Sequence, residues 1–137
     1  MIQIIDDGAS GYSRTGSWTD FAGQGRDSDL DYSASGTGAD RATWSFTVTP
    51  ARYRVSATWS PFSNRATDAP YTIRSGNSIL GQVDVNQEVG PNDRTADGSS
   101  WEDLGQFVVS GTSLIVELSD AANEYVIADA VRIEKVN

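Results

Sequence analysis

The chain contains no cysteine and no histidine. The first absence excludes disulfides, thiolate metal sites and thiol nucleophiles. The second excludes a Ser-His-Asp triad, histidine-ligated zinc and imidazole acid–base catalysis. Lysine occurs once, at Lys135, and 10 basic residues face 19 acidic ones, for a net charge of −9. Such a surface repels phosphate backbones and anionic lipid, so no nucleic-acid partner is expected. No apolar run approaches the roughly 20 residues of a membrane helix, so no membrane insertion is expected either. Helical periodicity is also missing, with no 3.6-residue pattern sustained over about eleven residues.

What is present is turn and strand chemistry. Asp outnumbers Glu 14 to 5, and there are 13 glycines with abundant Ser and Thr. These residues favour turns and strands over helix surfaces. A chain of 137 residues suits one domain with a real core. Trp44, Phe46 and Val48 alternate with Thr43, Ser45, Thr47 and Thr49. Beyond Pro50-Ala51, Tyr53, Val55, Ala57 and Trp59 alternate with Arg52, Arg54, Ser56 and Thr58, so the two runs predict a hairpin. Leu30, Tyr32 and Ala34, then Tyr71 and Ile73, then Ile79, Val83 and Val85, then Leu114, Val116 and Leu118, and finally Tyr125 to Val136 continue the alternation. Asp7-Gly8, Ser75-Gly76-Asn77, Asp97-Gly98 and Ser110-Gly111 punctuate it. The prediction is an all-β fold, a jelly-roll-like β-sandwich of about eight to ten strands. Residues 1–137 read as a single module, and Met1 runs directly into strand-like sequence without a secretory leader. Such trimming is expected of a module cut from a larger protein.

Two groups of residues carry chemistry. On the last strand Asp129 falls among Ile127, Val131 and Ile133, and a buried carboxylate must be compensated. Arg132, backbone N–H groups of the first turn, or a cation shared with Asp6 and Asp7 are the alternatives. Ca²⁺, which takes about six to eight hard oxygens, is the ion that would suit. Asp27, Asp29 and Asp31 have EF-hand-like spacing, but Tyr32 and Gly38 occupy positions that need Gly and Glu. They are expected instead to guard a solvated edge strand. Adjacent Glu102-Asp103 face opposite ways on a strand and form no acid–base pair, so no enzyme activity is expected.

The second group lies in and after the segment from Trp59 to Tyr71, where Pro61 and Pro70 stiffen a connection holding Phe62, Asn64 and Arg65. Asn86-Gln87 follows the next hairpin, and a long loop from Glu88 to Ser100 leads to Trp101. Aromatic faces stack on sugar C–H groups, while planar amides and guanidinium groups match paired hydroxyls. Asn64, Arg65, Asn86, Gln87 and Trp101 are therefore the candidate ligand-binding residues.

Ile4-Ile5-Asp6-Asp7-Gly8, Thr15-Gly16-Ser17-Trp18, Ala42-Thr43-Trp44-Ser45-Phe46, Asn64-Arg65-Ala66-Thr67, Ala69-Pro70-Tyr71-Thr72-Ile73, Val85-Asn86-Gln87, and Val126-Ile127-Ala128-Asp129-Ala130-Val131-Arg132 occur in that order. As a set they resemble the bacterial golvesin/xanthan-lyase carbohydrate-binding-like domain family over nearly the whole chain. The resemblance implies a non-catalytic β-sandwich attached to large secreted or cell-surface proteins, with other domains of the parent chain as neighbours. The ending is also similar to the final strand of calcium-containing jelly-roll carbohydrate-binding modules, which place an Asp in the same way. The expected function is weak binding of polysaccharide or cell-surface glycan by an extracellular bacterial accessory module. The competing expectation is a structural spacer or adhesion domain without a sugar site.

Overall fold

The computed structural model describes residues 1–136. Their thirteen strands are β1 (Ile2–Asp6), β2 (Tyr12–Thr15), β3 (Thr19–Ala22), β4 (Asp29–Ser33), β5 (Arg41–Thr47), β6 (Ala51–Thr58), β7 (Ala69–Ser75), β8 (Ser78–Val85), β9 (Arg94–Ala96), β10 (Ser99–Val109), β11 (Ser113–Ser119), β12 (Val126–Ala128) and β13 (Ala130–Val136). A single 3-10 turn at Arg26–Ser28 is the only helical element among the described residues. The strand count exceeds the expected eight to ten because several strands have only three or four residues.

Two five-stranded sheets, β1-β13-β6-β10-β9 and β2-β5-β11-β7-β8, make an all-β sandwich. A third sheet, β12-β4-β3, closes one side. The core takes alternate residues of both large sheets: Trp44 and Phe46 from β5, Tyr53 and Val55 from β6, Tyr71 and Ile73 from β7, Leu114, Val116 and Leu118 from β11, and Val131 and Ile133 from β13. Period-2 burial thus follows the alternation in the sequence.

Three expectations need correction. β5 and β6 are not a hairpin: β5 pairs with β2 and β11, and β6 with β13 and β10, so Pro50 turns the chain from one sheet into the other. Ile79 is exposed, because a bulge between Ile73 and Arg74 breaks the β7–β8 register. β4 is the central strand of its sheet, not an edge. Asp31 on β4 is consequently buried, accepts the Tyr12 hydroxyl proton at 2.8 Å and lies 3.1 Å from Arg14.

Candidate functional site

β1 runs antiparallel to β13, with Asp6 opposite Ala130. This register sets Asp6 and Asp7, at the end of β1, beside Asp129, which interrupts the last strand between β12 and β13. One carboxylate oxygen from each of the three lies within 4.8 Å of the other two. Asp129 is 1% exposed. Its Oδ2 accepts the Arg26 backbone N–H at 2.8 Å, while its Oδ1 is buried without a partner. Asp6 Oδ1, Asp7 Oδ1 and Asp29 Oδ1 are also buried without partners. Neither protein partner expected for Asp129 is the one found: its donor is the Arg26 N–H, from the loop after β3 and not from the first turn, and Arg132 bonds Asp97 and Glu134 instead.

Burial is the largest cause raising the pKa of all three carboxyls; Asp6 and Asp7 raise Asp129 further and Asp6 raises Asp7, whereas Asp129 and Asp7 pull Asp6 partly back down. Hard oxygen donors, crowded, desolvated and unsatisfied, fit a divalent cation of the Ca²⁺ type. Asp29 also faces this cluster with a buried Oδ1, which corrects its expected place on a solvated edge strand.

A cavity of about 310 Å³ opens over the third sheet. Phe21 comes from β3, Leu30 and Tyr32 from β4, and Tyr125 from the residue before β12. Phe62, Asn64 and Arg65 come from the connection between β6 and β7, and Gln24 from the loop after β3. The two loops are tied together: the Ser60 hydroxyl donates to Gln24 Oε1 at 2.9 Å, and Arg65 Nε donates to the Ser60 carbonyl at 3.1 Å. Phe62 is 60% exposed, Phe21 44% and Tyr125 39%. Phe21–Tyr32 and Tyr32–Tyr125 meet edge to face at 6.4 and 5.7 Å. The Arg65 guanidinium lies 5.8 Å from the Phe62 ring centre. The cavity thus joins open aromatic faces to planar hydrogen-bonding groups.

The five candidate ligand residues part company here. Asn64 and Arg65 line this cavity, whereas Asn86 lines a separate depression of about 330 Å³ with Asp84, Val89 and Glu102. Gln87 is fully buried, and its amide pairs with Ile127 as a strand would. Nε2 donates to the Ile127 carbonyl at 2.9 Å, and Oε1 accepts the Ile127 N–H at 2.8 Å. Trp101 is fully buried as well, donating its indole N–H to the Ala96 carbonyl at 2.8 Å beneath Arg26. Neither side chain is open to a glycan, which corrects their place among the candidates. The aromatic faces at the cavity are instead Phe21, Tyr32, Phe62 and Tyr125. Of these, Phe62 stood in the proline-stiffened segment, whereas nothing in the sequence pointed to Phe21 or Gln24.

Comparison with solved structures finds similar folds in carbohydrate-active proteins. A xanthan lyase from Paenibacillus is 28% identical with a TM-score of 0.80, and the match covers 99% of this chain but only 13% of that one. The C-terminal CBM6 of LamC, a marine laminarinase from Zobellia galactanivorans, is 13% identical with a TM-score of 0.63, covering 98% of this chain and all of that one. The CBM35 from Cellvibrio japonicus Abf62 is 11% identical with a TM-score of 0.59, covering 100% and 99%. At these last two identities the likeness is one of fold, the β-sandwich. Comparison with curated protein sequences finds no match. Residues 3–135 match the family profile of the Golvesin C-terminal domain, and the chain belongs to that family.

Proposed function

We propose that the domain is a non-catalytic accessory module of a larger bacterial protein, acting outside the cell or at its surface by binding polysaccharide. The observation that carries this reading is the cavity over the third sheet, where Phe21, Phe62 and Tyr125 leave ring faces open beside Asn64, Arg65 and Gln24. Rings of this kind stack on sugar C–H faces, and the planar groups orient hydroxyls. Affinity is modest, because each hydroxyl hydrogen bond replaces one to water. Affinity electrophoresis through gels containing xanthan or laminarin tests the reading. Wild type is expected to be retarded, and Phe62→Ala to lose most of the retardation, since Phe62 is exposed and its removal leaves the core intact. Equal mobility of wild type with and without polysaccharide would favour the spacer role.

We also infer that Asp6, Asp7 and Asp129 hold a structural Ca²⁺. The ion would supply positive charge to oxygens that the fold buries without partners. A ligand that binds only the folded form stabilises it, by about 2.7 kcal/mol at a hundred times its Kd. Chelation is therefore expected to lower the melting temperature and Ca²⁺ to restore it. An unchanged melting temperature would count against the ion.

A further inference from the structure

Arginine is used in two ways in this molecule. Arg14, Arg54, Arg74, Arg94 and Arg132 all lie within 4 Å of a carboxylate. Among the described residues Arg26, Arg41, Arg52 and Arg65 form no such pair, and of these four it is Arg65 that lines the aromatic cavity. Its guanidinium is held by neutral oxygens only: Nε by the Ser60 carbonyl at 3.1 Å, Nη1 by Asn64 Oδ1 at 2.7 Å and Nη2 by Gln24 Oε1 at 3.4 Å. A guanidinium carries five N–H groups, so one on each terminal nitrogen is left without an acceptor. Among the described residues Arg65 is the single charged one lining the cavity, in a chain whose net charge is −9. Burial opposes its charge, lowering its pKa from the ordinary arginine value. Gln24 and Asn64 already supply amides for neutral hydroxyls, so an uncompensated cation adds selectivity for an anion.

We propose that the cavity takes a carboxylate-bearing sugar, such as a uronate unit of an acidic polysaccharide, with its carboxylate seated on the free N–H groups of Arg65. This rests on reading the cavity as a glycan site. Guanidinium matches a carboxylate by charge and by paired donors at once, which no amide can do. The ring faces of Phe21, Phe62 and Tyr125 then hold the sugar's apolar side, and the sugar's carboxylate replaces the anionic partner that other arginines here already have.

The test compares xanthan and hyaluronan, two glucuronate polymers with different backbones, each in native and carboxyl-reduced form. Affinity electrophoresis is run at about 0.15 M salt, where charges beyond about 8 Å are screened and the acidic remainder of the surface matters little. Wild type is expected to bind at least one native polymer about tenfold more tightly than its reduced form, a difference of about 1.4 kcal/mol. Arg65→Gln is expected to bind native and reduced forms alike, at the wild-type affinity for the reduced one, which also shows that the variant is folded. Arg65→Lys, a point charge without the fork, should keep only part of the preference. Equal binding of native and reduced polymer by wild type, or a preference that survives in Arg65→Gln, would overturn the inference and leave the glycan reading standing. Absence of binding to all four polymers would overturn the inference, and absence of binding to laminarin as well would overturn the glycan reading with it.

Discussion

Gln87 shows how one side chain can stand in for a stretch of backbone. Its amide donates to the Ile127 carbonyl and accepts the Ile127 N–H, while its second amide hydrogen bonds the Tyr71 hydroxyl at 3.2 Å. All three groups are buried, so deleting the amide strands polar atoms that water cannot reach. Gln87→Ala is therefore expected to destabilise the fold by about 3 kcal/mol, measured by urea denaturation, with Gln87→Glu no better because a buried carboxylate cannot donate to the carbonyl. A loss below about 1 kcal/mol would mean that water replaces the amide. Amide and indole chemistry is legible in a sequence, but its direction is not. Gln87 beside Asn86, and Trp101 at the end of a polar loop, carry the composition of a sugar site, and tertiary packing turns both inward. Asn64 and Arg65 could be read more directly, because the prolines around them confine that segment to a rigid surface connection.

At the scale of elements, the loop from Gly23 to Ser28 joins the two candidate sites. Gln24 faces the aromatic cavity, and two residues later the Arg26 N–H holds Asp129. Gly25 lies between them with φ +84, and a Cβ there would come within 2.6 Å of Asp129 Oδ2 and 2.7 Å of the Asp29 carbonyl. Only glycine satisfies both that backbone angle and that approach. Gly25→Ala is expected to reduce Ca²⁺ affinity at least tenfold by calorimetry, and to weaken polysaccharide retardation as Gln24 is displaced. Unchanged values for both would show that the loop is not a shared support. The segment between Glu88 and Ser100, expected as a long loop, contains a strand: β9 and β10 pair as a hairpin through Asp97-Gly98, with φ of +53 and +81. That dipeptide is a strong sequence signal for a tight turn, although its partner strand is only three residues long. Gly98→Val places a β-branched residue at positive φ and is expected to cost about 1–2 kcal/mol, with faster hydrogen exchange confined to Arg94–Trp101. Protection unchanged across β9 would mean that the hairpin is held from elsewhere. Alternation identified β5 and β6 as strands but mispaired them. Period and turn residues report which face of a strand is buried, whereas sheet membership depends on contacts far apart in sequence.

For the molecule as a whole, the class of fold was readable because inward and outward residues alternate over almost every long strand. The acidic cluster was readable in part, since a carboxylate among Ile127, Val131 and Ile133 has to be compensated wherever the strand lies. The register of β1 on β13 then completes the cluster. Its consequences extend to global stability. In the metal-free fold Asp6 is raised to about 6 and Asp7 to about 8 from an ordinary 3.8, chiefly by burial, and Asp129 is raised further. Between the ordinary and the raised values the folded form holds more protons than the unfolded chain. The stability these groups contribute is then complete below about pH 4 and lost as pH climbs through 6 and 8. Asp103 and Glu134 act oppositely. Asp103 is lowered against its burial by Arg94 and Ser56, and Glu134 by Arg132, so both contribute above the ordinary carboxylate range and lose that contribution in acid. The metal-free protein should accordingly be most stable near pH 4, with a melting temperature that falls steadily toward pH 8. With Ca²⁺ bound, the same carboxylates are ionised against the ion, and the fall above pH 6 should disappear while the acid limb remains; buried Asp31, raised to about 6 outside the cluster, leaves only a smaller decline between pH 4 and 6. Differential scanning calorimetry from about pH 2 to 8.5 on metal-stripped and Ca²⁺-loaded protein measures both limbs. Parallel curves would show that the ion does not meet these three carboxylates, and a metal-free curve flat from pH 5 to 8 would show that they are already compensated without it.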